Sequence, residues 1–81
     1  MLTNLNISDN MVKLRKRSRM TQNEVSIQLQ LMGLNISRSR LSMIELGRLN
    51  VPVSLLVALR RIYRCEYAQF FEGLEEALDM E

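Results

Sequence analysis

Two helix-starting signals, Thr21-Gln22-Asn23-Glu24 and Ser37, stand sixteen residues apart with Gly33 between them. In the first, the threonine hydroxyl and the glutamate carboxylate can each satisfy an amide that the opening turn of a helix leaves unpaired. A helix is therefore expected from this point through Val25 and Leu29 toward Met32. Gly33 is placed to end it, because glycine accepts the left-handed conformation that follows many helices. Leu34-Asn35-Ile36 then makes a short turn, and Ser37 caps a third helix from Arg38 to Leu46 that Gly47 closes. The sequence thus predicts helix, short turn and helix over about residues 21–46.

The flanks follow the same period. Ser8 reads as an N-cap, with Ile7, Met11 and Leu14 at helical spacing, so a first helix is expected from Asp9 to Arg19. Pro52 suits the first turn of a fourth helix, whose apolar stripe is Leu55, Leu59 and Ile62. Tyr67, Phe70, Phe71, Leu74 and Leu78 sit at i, i+3, i+4, i+7 and i+11 and predict an amphipathic C-terminal helix over about 66–80. Gly73 lies in its middle, at a cost of about 1 kcal/mol relative to alanine. Aromatic residues are 5% of the chain, and leucine, methionine and isoleucine dominate, which favours aliphatic helix packing over sheets. The expectation is an all-α chain, a compact five-helix bundle forming one domain across residues 1–81.

Several function classes lose their chemistry here. The chain has no histidine, and Cys65 is its one cysteine. A metal site has too few ligands, an internal disulfide has no second thiol, and no Gly-rich loop is present to cradle a cofactor phosphate. General bases and nucleophile partners of the usual kinds are missing, so neither catalysis nor a cofactor is expected. A lone cysteine suits a reducing compartment. With no apolar run near 18 residues and no signal-peptide core at the N-terminus, a cytoplasmic protein without a membrane partner is expected.

Charge is polarised along the chain. Residues 1–50 carry eight basic side chains against three acidic ones, a balance of +5, and residues 51–81 carry three against six, a balance of −3. Such asymmetry fits a polyanion on one side and a different neighbour on the other, and it also fits two solvated faces of opposite sign. Lys13, Lys16, Arg17 and Arg19 are open to the same two interpretations, a phosphate clamp or a solubilising face.

The third helix narrows the choice. At about 100° per residue, Leu41 and Ile44 point toward a core. Arg38, Ser39, Ser42, Met43 and Leu46 point roughly the other way, and Arg40 and Glu45 flank the boundary. Short serines between arginines make a surface that can approach a DNA groove, and arginine can bond bidentately to guanine. A solvated face would have a similar composition. Two capped helices in succession, with Ser26 small enough for a close crossing, tip the balance toward DNA.

Across roughly three quarters of the chain, from Leu14 to about Leu74, these residues resemble the phage repressor and Cro type of helix-turn-helix domain, the xenobiotic response element family. Leu14-Arg15, Thr21-Gln22-Asn23-Glu24-Val25-Ser26 and the run from Ile36 to Arg48 carry the resemblance. It implies a lambda-repressor-like DNA-binding domain. By that likeness Arg38, Ser39 and Met43, with Arg40 beside them, meet base edges, and Ser42 and Arg48 meet the DNA backbone. Gln22 touches a phosphate and braces the third helix, with the capping residues Thr21 and Ser37 at neighbouring phosphates. Arg15 and Glu45 match an ion pair tying the first helix to the third.

The chain departs from the family pattern in three places. Gln30-Leu31-Met32 adds length between the two helices, as in a longer subgroup with a Gly-x-Asn-Ile-Ser turn. Met43 stands where many relatives carry a polar reader, and Leu46 and Leu49 are apolar where polar residues are usual. The expectation is a sequence-specific transcriptional regulator, a repressor binding double-stranded DNA at a palindromic operator as a homodimer. Phe70, Phe71, Leu74 and Leu78 are the candidate dimer contacts. The alternative is a protein-interaction module of the same fold that holds another regulator or a toxin through Met43, Leu46 and Leu49.

Overall fold

The computed structural model describes residues 5–79, and six α-helices make up its regular structure. They are α1 (Ser8–Arg17), α2 (Gln22–Leu31), α3 (Arg38–Glu45), α4 (Val53–Tyr63), α5 (Tyr67–Phe70) and α6 (Leu74–Asp79). No strand occurs among the described residues, and the principal extents are 40 × 23 × 20 Å. None of these helices is long and apolar enough to cross a membrane.

Local chemistry sets the boundaries. At α2, the Glu24 amide donates to the Thr21 hydroxyl at 3.1 Å and the Thr21 amide donates to the Glu24 carboxylate at 2.8 Å, closing the capping box. At α3, the Arg40 amide donates to the Ser37 hydroxyl at 3.1 Å. Gly33, at φ +89°, turns the chain out of α2. Its amide reaches the Gln30 carbonyl, the next amide reaches Leu29, and Leu34 folds back onto the core.

Three expected boundaries shift. Ser8 does not cap α1 but begins it: Ile7 stands at the cap position, and the Asn6 side chain accepts from both the amide and the hydroxyl of Ser8, so that hydroxyl is not turned to the amides of the first turn. Pro52 precedes α4 as its cap instead of sitting within its first turn. The C-terminal helix expected over about 66–80 is two short helices, so the bundle has six helices and not five. Gly73 adopts φ +82°, a left-handed conformation that cannot continue a helix, and α5 ends before it. Residue 80 lies outside the described residues.

One core joins the elements. Met11, Val25, Leu29, Leu41, Leu55, Leu59 and Phe70 are completely buried, drawn from α1 to α5. α3 packs on both α2 and α1, α4 lies against α2, and α5 lies against α1. The Asn10 side-chain amide fixes that last contact by donating to the carbonyls of Phe70 and Glu72, each at 2.9 Å. Between α2 and α3 the buried Ser26 hydroxyl donates to the Ile36 carbonyl at 2.6 Å. A turn carbonyl that would otherwise be buried without a partner is thereby satisfied.

Candidate nucleic-acid interface

Leu41 and Ile44 are buried at 0% and 1% exposure and hold the inner side of α3. Arg38, Ser39 and Arg40 on the same helix are exposed, and Ser42 and Met43 are half-buried. The buried side thus fixes the rotation of the helix, and its arginine-and-serine side faces outward.

The first turns of α2 and α3 lie side by side. A shallow groove is lined by Gln22, Arg38, Ser39, Ser42 and Met43, and a wider one beside it by Arg15, Met20, Thr21, Gln22, Asn23 and Arg38. Gln22 and Arg38 border both. The opening amides of each helix have no partner within the helix, and the helix dipole adds partial positive charge there. With the exposed Arg38 at the rim, the arrangement is suited to receive anionic oxygens.

Arg15 and Glu45 form a two-pronged ion pair, Nε to Oε2 at 2.8 Å and Nη2 to Oε1 at 3.0 Å. The third Arg15 nitrogen donates to the Met20 carbonyl at 3.0 Å, which pins the loop after α1. Gln22 Nε2 also donates to Glu45 Oε1, at 2.9 Å. A carboxylate on α3 thus ties α1 and α2 to the helix that carries the exposed arginines. The glutamate side chain is 3% exposed and the arginine 13%, so water screens the pair little. Bonding to Glu45 holds the Arg15 guanidinium above its already high ordinary value. Behind the pair, the buried Tyr63 hydroxyl has no hydrogen-bond partner among the described residues. Burial, reinforced by the Glu45 charge, raises its proton affinity well above that of a free phenol.

The remaining candidates are dispersed. Thr21 and Ser37 are exposed at the two helix caps, with their hydroxyls engaged by amides of their own first turns. Arg40 and Arg48 are exposed but line neither groove, and Arg48 lies past the end of α3. Leu46 and Leu49 are 62% and 44% exposed on the rim beside α3. Phe70 is fully buried in the core of its own chain and Leu74 is half-buried, so of the four candidate dimer contacts only Phe71 and Leu78 are free. Phe70 takes that position because α5 lies against α1. Asn23 lines the wider groove and was not among the expected contacts; its place in the first turn of α2 beside Gln22 was the available signal.

Among the described residues no group of three His, Cys, Asp or Glu side chains is placed to hold a metal ion. Compared with models of protein families, with curated proteins and with solved structures, the chain matches none.

Proposed function

We propose that this chain is a lambda-repressor-like helix-turn-helix protein of the phage repressor and Cro type. In this proposal it is a cytoplasmic transcriptional regulator, a repressor that binds a palindromic operator in double-stranded DNA as a homodimer and performs no catalysis. The observation that carries the proposal is the outward side of α3, with Arg38, Ser39 and Arg40 exposed over a buried Leu41 and Ile44. Arg38 and Ser39, with Arg40 and Met43, are assigned to base edges in the major groove. Thr21, Gln22, Ser37, Ser42 and Arg48 are assigned to flanking phosphates.

One reading helix makes too few base contacts for high specificity, which is why a symmetric pair is part of the proposal. Selection from a random duplex library followed by sequencing tests it. The expected product is a palindrome with half-sites about 10 base pairs apart, or a multiple of that. An unenriched pool would defeat the operator assignment.

A second function is favoured by the exposed Leu46 and Leu49, which give the rim of α3 an apolar character. In it the same fold grips another regulator or a toxin through Met43, Leu46 and Leu49. Duplex binding that weakens with salt and is lost in Arg38→Ala supports the DNA function. Salt-insensitive capture of a protein, unchanged in Arg38→Ala, supports the other.

A further inference from the structure

We propose that Met43 reads thymine, by packing its thioether against the C5-methyl group in the major groove, so that each half-site carries a thymine as well as the guanine that suits Arg38. The inference rests on the DNA function proposed above and gives that function a base identity.

The groove lined by Gln22, Arg38, Ser39, Ser42 and Met43 holds a short inventory of chemistry. Arg38 offers donors only, which match the two acceptors of guanine. Adenine is read by an amide that donates and accepts at once. The amide in this groove, Gln22, is anchored inward, with its Nε2 donating to the buried Glu45 at 2.9 Å. Cytosine presents an amine that a carboxylate accepts. The carboxylate of α3 is Glu45, which is 3% exposed and already bound to Arg15 and Gln22. The two serines donate and accept alike, so they single out no base.

Met43 is the apolar member of the set. Thymine is the base that presents an apolar group in the major groove, its C5-methyl. Covering that methyl with a thioether removes apolar surface from water on both sides. Covering a polar base edge instead takes a hydrogen-bonding group out of water and returns only a weak acceptor.

The position of Met43 suits this contact. It is half-buried in the last turn of α3, and its carbonyl accepts from the Arg48 amide at 2.9 Å, which holds the backbone there. Long side chains on a helix lean toward its N-terminus, over the residue four positions earlier. Here that residue is the short, exposed Ser39. Met43 follows Arg38 by five positions, about 7.5 Å along the helix, against about 3.4 Å between base pairs. A helix lying along the major groove thereby presents the two side chains to different base pairs of one half-site.

The test uses the full chain and a duplex recovered by the selection described above, with each thymine replaced in turn by 2′-deoxyuridine, which removes the methyl group alone. At one thymine in each half-site, binding is expected to weaken about fourfold, the worth of one buried methylene-sized group. Met43→Ala should bind the thymine duplex about as weakly as the unaltered protein binds the uracil duplex, and should no longer tell the two apart. Met43→Gln, similar in length but able to donate and accept, should also lose the discrimination and shift selection toward adenine at that position. Arg38→Ala should weaken binding and keep the thymine-over-uracil ratio. Unchanged melting profiles verify that the variants are folded. A selected site that lacks thymine or tolerates uracil at every thymine overturns the assignment of Met43, and so does a ratio that persists in Met43→Ala; each leaves the DNA function in place. A library that yields no enriched duplex removes the DNA function itself and this inference with it, so the two failures are distinct.

Discussion

Tyr63 carries a hydroxyl that is buried without a hydrogen-bond partner among the described residues. An unsatisfied buried polar group costs about 1–3 kcal/mol, so Tyr63→Phe should raise stability by about 1 kcal/mol, measured by denaturant unfolding. Arg19 and Arg64 both adopt left-handed backbone at the ends of helices, at φ 57° and 52°, where glycine is the usual occupant. That conformation costs a side-chain-bearing residue about 1–2 kcal/mol, part of which glycine offsets by its own greater entropy loss. Arg19→Gly should therefore stabilise the fold by about 0.5 kcal/mol while removing one cation from the basic cluster at the end of α1. Glu24 supplies a pH dependence. The Thr21 amide, then its hydroxyl, hold the Glu24 carboxyl below its usual range. A lowered folded pKa means the contribution is complete at neutral pH and is lost as pH falls through the carboxylate range. Acid titration of stability should show a shallower decline in Glu24→Gln, which keeps a capping group but cannot titrate.

The elements are joined by Glu45 more than by any other single polar side chain. It receives Arg15 from α1 and Gln22 from α2, and removing it leaves a guanidinium partly buried without its anion. Glu45→Ala should cost about 3 kcal/mol, whereas Gln22→Ala, which removes one neutral donor, should cost about 1 kcal/mol. Equal losses would show that the carboxylate does not tie the three helices together. The start of α2 and the start of α3 were legible in the sequence because their signals are local: a capping box and a capping serine. The expected end of α2 was nearly correct for the same reason, since glycine is a strong stop. α1 and α4 were harder to bound because their chains turn at arginines, which give no such signal, and because the Ser8 hydroxyl donates to Asn6 and leaves Ser8 inside α1 instead of at its cap. The C-terminal region misled for a different reason. Its apolar spacing is helical throughout, but a glycine with positive φ interrupts it, and only tertiary packing decides that Phe70 turns inward while Phe71 stays out. The outward face of the helix from Arg38 could be read from periodicity alone. The grooves beside it could not, because they depend on how two helix starts meet in space.

For the whole molecule, the polarity of charge is the property with the widest consequence. The first fifty residues hold a balance of +5, and the exposed arginines of α3 belong to that half. In the proposed function each phosphate neutralised adds about 0.9 to the slope of log affinity against log salt. Arg48→Ala, assigned to a phosphate, should lower that slope by about 0.9 and weaken all duplexes alike. Arg38→Ala, assigned to a base edge, should instead cost about 1–3 kcal/mol on the selected site and relax the preference at one position. Identical behaviour of the two variants would contradict the division between bases and backbone. Amide NMR during titration with a selected duplex tests the central claim most directly, because every residue reports its own surroundings. The account predicts the largest shifts from Arg38 to Met43 and at Gln22 and Asn23. Shifts confined to α4–α6, with the α3 amides unmoved at saturation, would contradict it.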